Sequence, residues 1–145
     1  VPFWDKIPPT EEDWKKAILK SVSFFKDIKG ISIYIHLPYC ESLCTYCGCN
    51  TRITVNHKVE EPYIDALIKE WQLYLNVFSE KPVINEIHLG GGTPTFFSAQ
   101  NLKRLIETIL SYSKVNTNSQ FSFEAHPANT TTEHLQTLFN LGFTR

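Results

Sequence analysis

The feature that most restricts how this chain can fold is a short run, residues 32–50, that contains all four of its cysteines. Cys40, Cys44 and Cys47 are spaced CxxxCxxC and follow an alternating apolar segment, residues 31–36, that predicts a β-strand. The gaps are too short for a helix or hairpin, so one loop can place three thiolates around one face of a metal centre. Three thiolates leave one iron of a 4Fe–4S cube open to a small molecule, and the spacing favours such a site.

Two other uses of the cysteines stay open from spacing alone. A structural zinc site is four-coordinate and is usually built from paired CxxC units or added histidines. Cys49 could supply a fourth thiolate, but its CxC step would strain a tetrahedral site, and no second CxxC or HxxxH follows. Disulfide bonds need an oxidising compartment, and no segment resembles a signal peptide, so we expect reduced cysteines in the cytoplasm.

Strand and helix patterns alternate along the chain. Alternating apolar runs predict strands near 31–36, 83–89 and 120–126, with one helix before the first strand and one after each strand. The helix starts are marked by caps or first-turn residues, namely Thr10, the run Glu60, Glu61 and Pro62, Ser98, and Thr131 or Thr132. Gly142 closes the fourth helix as a C-cap. This alternation predicts an α/β fold with a parallel sheet. Residues Phe143–Arg145 would lead into a fourth strand of that sheet.

Each predicted helix carries apolar residues at helical spacing, and those of the first three should face the core. In chain order the sets are Trp14, Ala17, Ile18, Val22 and Phe25; Ile64, Leu67, Ile68, Trp71, Leu75 and Phe78; Leu102, Leu105, Ile106, Ile109 and Leu110; and Leu135, Leu138 and Phe139. The second helix should end near Glu80, because Pro82 cannot continue it. Residues 1–9 are expected to form an irregular arm, and residues 50–58 and 114–119 polar loops.

Three consecutive glycines, Gly90–Gly92, follow the second predicted strand and precede Thr93. Without side chains they would let a ligand reach backbone N–H and C=O groups directly. Neither GxGxxG nor the Walker A pattern is matched, so a phosphate-binding loop is not indicated. Ligand binding and a simple tight turn are equally compatible with the residues alone.

Alternation also separates the two faces of each strand. In a parallel barrel the apolar set faces the helices, and the polar set lines the interior near the carboxyl ends, where active sites lie. This predicts inward positions for Tyr34 and Glu124, with Tyr34 beside the cysteine loop.

The five histidines do not form a ligand pattern. His36, His88 and His126 fall near the ends of three different strands, and core or supporting roles are expected for them. His57 and His134 are expected at the surface.

The cysteine motif is similar to that of the radical S-adenosylmethionine (radical SAM) superfamily. The strings YIHLPYCESLCTYCGCN and GGGTPTFF together resemble the oxygen-independent coproporphyrinogen III oxidase family, and the resemblance covers the whole chain. It implies a partial (β/α)6 barrel, with an amino-terminal arm and helix in residues 1–30 and the first βα units of an incomplete barrel domain in 31–145. The enzymes of this family are longer, and the chain has no methionine, so we expect a segment of a longer protein.

The resemblance also implies roles for particular residues. Cys40, Cys44 and Cys47 would bind a 4Fe–4S cluster whose fourth iron binds S-adenosylmethionine. The cofactor-binding set would be Gly91, Gly92 and Thr93 at the methionyl amino group, Glu124 at the ribose hydroxyls, and Tyr34 and Tyr46 near the cofactor, Tyr46 as an aromatic wall. Catalytic residues are not assigned, and Cys49 could be a proton or hydrogen-atom donor or a supporting residue.

The implied reaction is oxidative decarboxylation of coproporphyrinogen III to protoporphyrinogen IX in anaerobic haem biosynthesis. The electron comes from a donor to the cluster, and a 5′-deoxyadenosyl radical removes hydrogen from a propionate side chain. The alternative is a related haem chaperone that binds haem without oxidase activity; the sequence CGCN favours the oxidase. A haem titration would separate the two.

Charge and hydropathy argue against two classes of partner, nucleic acids and membranes. The formal net charge of −1 indicates no broad surface for nucleic acid, and no apolar run approaches a membrane span. We expect a cytoplasmic enzyme that is monomeric when full length.

Overall fold

The computed structural model describes residues 8–26 and 30–145 of the chain. Helices alternate with the three strands of the predicted sheet, and two short strands, one of them within the predicted loop 50–58, were not predicted. In chain order they are α1 (Glu11–Lys26), β1 (Ile31–Leu37), β2 (Tyr39–Cys40), β3 (Arg52–Ile53), α2 (Glu60–Leu75), β4 (Val83–Gly91), α3 (Ala99–Ser111), β5 (Lys114–Phe123) and α4 (Thr132–Asn140). Single helical turns precede α2 (His57–Val59) and α3 (Pro94–Phe96).

The predicted parallel sheet is confirmed. Its strand order is β1-β4-β5, and both pairs run parallel. The chain then returns beside β5, where Thr144 N donates to Phe121 O at 3.1 Å and Phe123 N donates to Arg145 O at 2.9 Å. Phe121 and Phe143 form a parallel bridge there, as expected if Phe143–Arg145 lead into a fourth strand.

The helices cover one face of this sheet. The fully buried residues Leu37, Ile84, Ile87 and Leu89 of the sheet pack in one cluster with side chains of α2, α3 and α4. The helix contribution includes Ile64, Trp71, Leu102, Leu105, Ile106, Ile109 and Leu138. The polar residues of β1, Ser32, Tyr34 and His36, lie on the other face of the sheet, as the alternation predicted. We call this the polar face.

The third strand differs from the prediction at both ends. Residues 114–119, predicted as a loop, belong to β5, where residues 116–119 stand opposite Asn85 alone as an irregularity in the register. A bulge lets a polar segment stay in a strand, because the extra residues leave the ladder and reach solvent. β5 ends at Phe123, so Glu124 follows the strand, although its N–H still donates to Leu89 O at 2.9 Å.

The helix starts are confirmed more closely than the helix faces and ends. Thr10 caps α1, with its Oγ1 accepting from Asp13 N at 3.2 Å, and Ser98 caps α3. Trp14 packs against Tyr74 with ring centroids 5.3 Å apart, but Ala17 is exposed, which corrects its predicted burial. The side chains of Val22 and Phe25, like residues 1–7 of the predicted arm, lie outside the described residues.

The end of α2 also departs from expectation. α2 ends at Leu75 rather than near Glu80, because the helix tightens there into a turn with an i→i−3 bond, in which Val77 N donates to Tyr74 O at 2.9 Å. In α4 only Leu138 of the three apolar residues is buried, while Leu135 and Phe139 are exposed. Gly142 follows α4 with φ +97°, the conformation expected of a glycine C-cap.

His134 is buried, so its predicted surface position is wrong. Its backbone N–H and its ring complete a capping box with Thr131 at the start of α4. Its Nε2 contacts Phe97 O at 2.9 Å. The ring thus satisfies two backbone groups at once, which is why a polar side chain is stable in this buried place.

A second buried polar residue, Glu60, joins α2 to α3. Its Oε2 accepts from Ser98 N at 2.7 Å and from Asn101 Nδ2 at 2.9 Å, and its Oε1 contacts His57 Nδ1 at 2.7 Å. Burial alone would raise the pKa of this carboxyl, but the bonds from Asn101, Ser98 and His57 outweigh it and hold the pKa below its ordinary value of 4.5. The negative charge therefore stabilises the fold.

Replacing this carboxylate should weaken the junction between α2 and α3. A charge-assisted hydrogen bond is worth more than a neutral one, so Glu60→Gln should lower the free energy of unfolding by about 1–2 kcal/mol at pH 7. Since the folded pKa is depressed, the contribution of Glu60 is present above about pH 4.5 and is lost as the pH falls below that value.

Urea unfolding between pH 7 and pH 3 measures both effects. The acid-induced loss of stability should be smaller in Glu60→Gln than in the wild type. Glu61→Gln, at the exposed neighbouring position, is the matched control and should leave the curve unchanged. If Glu60→Gln and Glu61→Gln changed the free energy of unfolding equally, the stabilising role of the Glu60 charge would be contradicted.

Candidate functional site

The carboxyl ends of the parallel strands define one edge of the sheet, and the cysteine loop begins there. Leu37, the last residue of β1, is paired in register with Gly91, the last residue of β4. The chain then forms β2, whose second residue is Cys40, and returns through β3 in parallel pairing. Bonds from Arg52 N to Pro38 O (2.7 Å) and from Thr54 N to Cys40 O (2.9 Å) close the loop at its base.

This closed loop holds the four cysteines as free thiols in graded exposure. Cys40 is buried, Cys44 and Cys47 are half-buried, and Cys49 is exposed. A turn joins the middle pair, with Cys47 N donating to Cys44 O at 3.1 Å. The Cys47 thiolate, by its charge and by a hydrogen bond, raises the pKa of Cys49, and Glu124 and Cys40 add to the rise.

These thiols have the chemistry of an iron–sulfur or zinc donor set. In the described residues, 8–26 and 30–145, no three His, Cys, Asp or Glu side chains are already gathered in metal-ligand geometry. The loop nevertheless places Cys40 and Cys47 within electrostatic range of Cys49, a backbone turn joins Cys44 to Cys47, and the closed base of the loop limits how far the cysteines can separate. Cys40, Cys44 and Cys47 could therefore bind one metal centre, with Cys49 on the exposed side.

The glycine turn meets the base of this loop through its backbone N–H groups. Gly92 N donates to Leu37 O at 2.8 Å, Thr93 N donates to Tyr39 O at 3.0 Å, and Gly91 N donates to Glu124 Oε2 at 3.1 Å. All three donors are thus satisfied within the protein. The expectation that a ligand would reach bare N–H groups here needs correction, and carbonyl oxygens are the groups that remain.

Gly91 is required by the conformation of the turn itself. Its φ of +114° lies in the region that favours glycine, and a Cβ placed on it would lie 2.6 Å from the His36 ring. The tight-turn interpretation is therefore sufficient for this glycine. A substitution at Gly91 would move His36 and strain the backbone, whether or not a ligand binds nearby.

The turn is also linked to the cysteines by a side chain. Thr93 Oγ1 donates to Cys40 Sγ at 3.3 Å, over a sequence separation of more than fifty residues. Thr93, predicted to bind a cofactor, thus lies against a predicted metal ligand. The two sequence motifs, CxxxCxxC and GGGT, form one structural unit.

The polar face of the sheet carries Tyr34 and its partners beside this unit. Tyr34 Oη lies 3.0 Å from His36 Nδ1, and His36 Nε2 lies 2.8 Å from Asn50 O at the end of the cysteine loop. Partial burial, with the negative charges of Glu124 and Cys49, raises the pKa of the Tyr34 phenol. Tyr34 therefore lies next to the loop, where its alternation placed it.

Glu124 is brought to the same edge from β5. Its Oε2 accepts from Gly91 N, and its Oε1 lies 3.7 Å from His88 Nε2, while its side chain stays 55% exposed. Predicted site residues from three strands thus converge.

Two other residues named from the sequence lie outside this cluster. Tyr46 is 89% exposed on the loop, and His126 takes part in an exposed turn, with its Nδ1 accepting from Ala128 N at 3.3 Å.

Sequence reasoning missed the contacts of His57, which was expected at the surface. Its ring is half-exposed but stacks on Phe96 at 4.4 Å, and its Nε2 lies 3.6 Å from Glu41 Oε1, next to Cys40. With the Glu60 contact already described, it connects the cysteine loop to the start of α2. The His57–Glu60 spacing of three residues was the only local signal for part of this arrangement.

The chain is similar to proteins of known name and structure. No family model matches the chain. Among curated proteins, the oxygen-independent coproporphyrinogen III oxidase of Helicobacter pylori strain J99 is 34% identical over 140 residues, which is 93% of this chain and 31% of that protein. The chain thus spans about a third of the length of that relative.

A shorter relative is covered more fully. The protein of the same name from Mannheimia haemolytica is 33% identical over 118 residues, which is 81% of this chain and 77% of that protein. None of the helices in the described part of the chain combines the length and hydropathy needed to cross a membrane.

A solved structure has the same fold. The chain is similar to coproporphyrinogen III oxidase from Escherichia coli, described as a radical SAM enzyme, with a TM-score of 0.82 and 27% identity over 93% of this chain and 30% of that one. The predicted α/β architecture, the first part of the radical SAM barrel, is thereby confirmed. Together with the coverage of the Mannheimia relative, these findings establish that the chain belongs to the oxygen-independent coproporphyrinogen III oxidase family.

Proposed function

We propose that the protein carrying this chain catalyses oxidative decarboxylation of coproporphyrinogen III, with a 4Fe–4S cluster and S-adenosylmethionine bound at the carboxyl edge of the sheet. The observation that carries the proposal is the contact between the two motifs, Thr93 Oγ1 to Cys40 Sγ at 3.3 Å. It joins the thiols and the glycine turn into one site. The names of the curated relatives supply the substrate.

In this proposal Cys40, Cys44 and Cys47 hold the cluster. Three thiolates from one closed loop leave one iron free for the amino and carboxylate groups of S-adenosylmethionine. When bound, the cluster and S-adenosylmethionine supply one-electron cleavage of the sulfonium and the radical chemistry that follows. The Thr93 hydroxyl would donate to a ligating sulfur, which is a way in which proteins tune such centres.

The glycine turn would bind the methionyl amino group as a hydrogen-bond acceptor. An amino group that binds iron through its lone pair can only donate hydrogen bonds, and the N–H groups of Gly91, Gly92 and Thr93 are already engaged. The Thr93 carbonyl accepts from Phe96 N, whereas among the described residues no backbone N–H donates to the Gly92 carbonyl. Gly92 O is therefore the acceptor that we assign to the amino group.

The remaining residues would orient the rest of the cofactor. Glu124 keeps an exposed carboxylate beside the glycine turn and would accept from both ribose hydroxyls. Tyr34 and Tyr46 would enclose the cofactor from the two sides of the cysteine loop. Cys49, on the exposed side of the loop, would not ligate iron, because three thiolates complete the share of the protein, and it would be a proton or hydrogen-atom donor or a supporting residue.

The proposal includes the wider setting. Residues 1–30 would form an arm and helix outside the barrel, and residues 31–145 its first βα units. The four free thiols fit a reducing compartment such as the cytoplasm. Electron donors and the coproporphyrinogen substrate would approach from the polar face of the sheet.

The cluster assignment predicts unequal effects of four serine substitutions. In anaerobically reconstituted protein, Cys40→Ser, Cys44→Ser or Cys47→Ser should each abolish the bound iron, because each removes one of only three protein ligands. Cys49→Ser should leave most of the iron in place. Iron analysis and the absorption spectrum measure the result. Equal iron loss in all four variants would indicate a four-thiolate site instead.

The ribose assignment predicts a loss of affinity without a loss of cluster. Glu124→Gln keeps the shape and removes the charge, so S-adenosylmethionine binding should weaken by roughly ten- to a hundredfold. The cluster spectrum without cofactor should not change.

An analogue of S-adenosylmethionine that lacks the ribose hydroxyls provides the control. Its affinity should hardly respond to Glu124→Gln, because the contact in question is absent. If the substitution weakened both ligands equally, Glu124 would be supporting the fold rather than binding the ribose. Gly91 is unsuitable for such a test because its substitution strains the turn.

A further inference from the structure

His88 lies at the centre of a polar layer on the polar face of the sheet. In the strand register, Tyr34 of β1 pairs with His88 of β4, and His88 pairs with Ser122 of β5. The imidazole stacks on the Tyr34 ring at 5.8 Å with an interplanar angle of 19°. Its Nδ1 lies 2.8 Å from Ser122 Oγ. Both neighbours therefore fix the ring, one by stacking and one by a hydrogen bond.

The free edge of this ring faces Glu124. His88 Nε2 lies 3.7 Å from Glu124 Oε1, within range of an ion-pair contact but longer than a direct hydrogen bond. Gly90 makes the approach possible, since a Cβ there would lie 3.0 Å from His88 Nε2 and 3.2 Å from Glu124 Cδ. The first glycine of the run thus leaves space for a histidine and a carboxylate to meet.

The direction of the protons decides whether this contact is favourable. A neutral imidazole with its proton on Nδ1 would direct a lone pair of Nε2 at the carboxylate, which is repulsive. If the Ser122 hydroxyl donates to Nδ1, the proton is held on Nε2, facing Glu124. A doubly protonated ring also places a proton there, so both favourable states put an N–H opposite Oε1.

We infer that His88 is a positioning residue that, held by Ser122, directs an Nε2–H at Glu124 and fixes the carboxylate for the ribose diol of S-adenosylmethionine. This rests on the proposed role of Glu124. Gly91 N–H restrains Oε2 at 3.1 Å, and His88 restrains Oε1 from the same strand. The carboxylate is then held between two donors of β4, with its other lone pairs open to a ligand.

The experiment compares two ligands in the same reconstituted protein. Calorimetry measures the affinity of S-adenosylmethionine and of the analogue without ribose hydroxyls. The ratio of the first affinity to the second reports on the ribose contact alone. His88→Phe keeps a ring against Tyr34 but has no N–H, and should lower the ratio by roughly three- to fivefold, as expected for a partly exposed charge contact. His88→Gln keeps an N–H donor, so its affinity ratio should lie closer to the wild-type ratio than that of His88→Phe does.

The serine is tested by its dependence on the histidine. Ser122→Ala should lower the ratio less than His88→Phe does, and the double variant should match His88→Phe alone, because Ser122 acts through the ring. Ser32→Ala, which removes a hydroxyl that donates to Glu86 Oε2 at 2.8 Å on the same strand face, should leave the ratio unchanged. In the wild type, ring ¹⁵N shifts of His88 should report a proton on Nε2.

The outcomes separate this inference from the function on which it rests. If the wild type prefers S-adenosylmethionine and Glu124→Gln does not, the role of Glu124 stands; a wild-type ratio in His88→Phe then overturns the inference alone. Equal loss in His88→Phe and His88→Gln would also overturn it, because the N–H would not be the active feature. If the wild type shows no preference, the proposed role of Glu124 fails and the inference with it.

Discussion

Parallel pairing of β1, β4 and β5 is the constraint on which the rest of the structure depends. It brings three carboxyl ends to one edge, although the residues concerned are far apart in the chain. Pairing continues just beyond the strands, since Gly92 N bonds to Leu37 O at 2.8 Å and Glu124 N bonds to Leu89 O at 2.9 Å. The cysteine loop, the glycine turn and Glu124 therefore start from positions fixed by backbone hydrogen bonds, which preorganises the site.

The glycine run has a different physical role at each step of this edge. At Gly90 the missing side chain lets His88 and Glu124 approach each other, and at Gly91 it permits a positive φ under the His36 ring. The N–H groups of the turn are meanwhile used to hold the strand ends together. In the proposed site a ligand must offer donors to carbonyl oxygens and to the carboxylate, and an amino group and a ribose diol are such donors.

Buried polar contacts hold the helices against this edge. Glu60 links the starts of α2 and α3, and His57 extends that link to Glu41 in the cysteine loop, 3.6 Å away. His134 in turn binds Phe97 O at 2.9 Å, in the segment that follows the glycine turn. Glu60 and His134 are buried with hydrogen-bond partners, and His57 is stacked on Phe96, so polarity at these places adds specificity to the packing rather than destabilising it.

Local patterns in the sequence determined the order and type of the main elements, the caps at Thr10 and Ser98, a fourth helix starting at Thr131 or Thr132, and the face on which Tyr34 lies. Periodicity and capping are properties of neighbouring residues. Local patterns also identified the motifs that place the chain in its family. Only the tertiary structure decided that residues 114–119 form a bulged strand, that His134 is buried, and that Thr93 meets Cys40. The same holds for the contact of His88 with Glu124. These depend on which residues are brought opposite one another across the sheet, and no local pattern encodes that register.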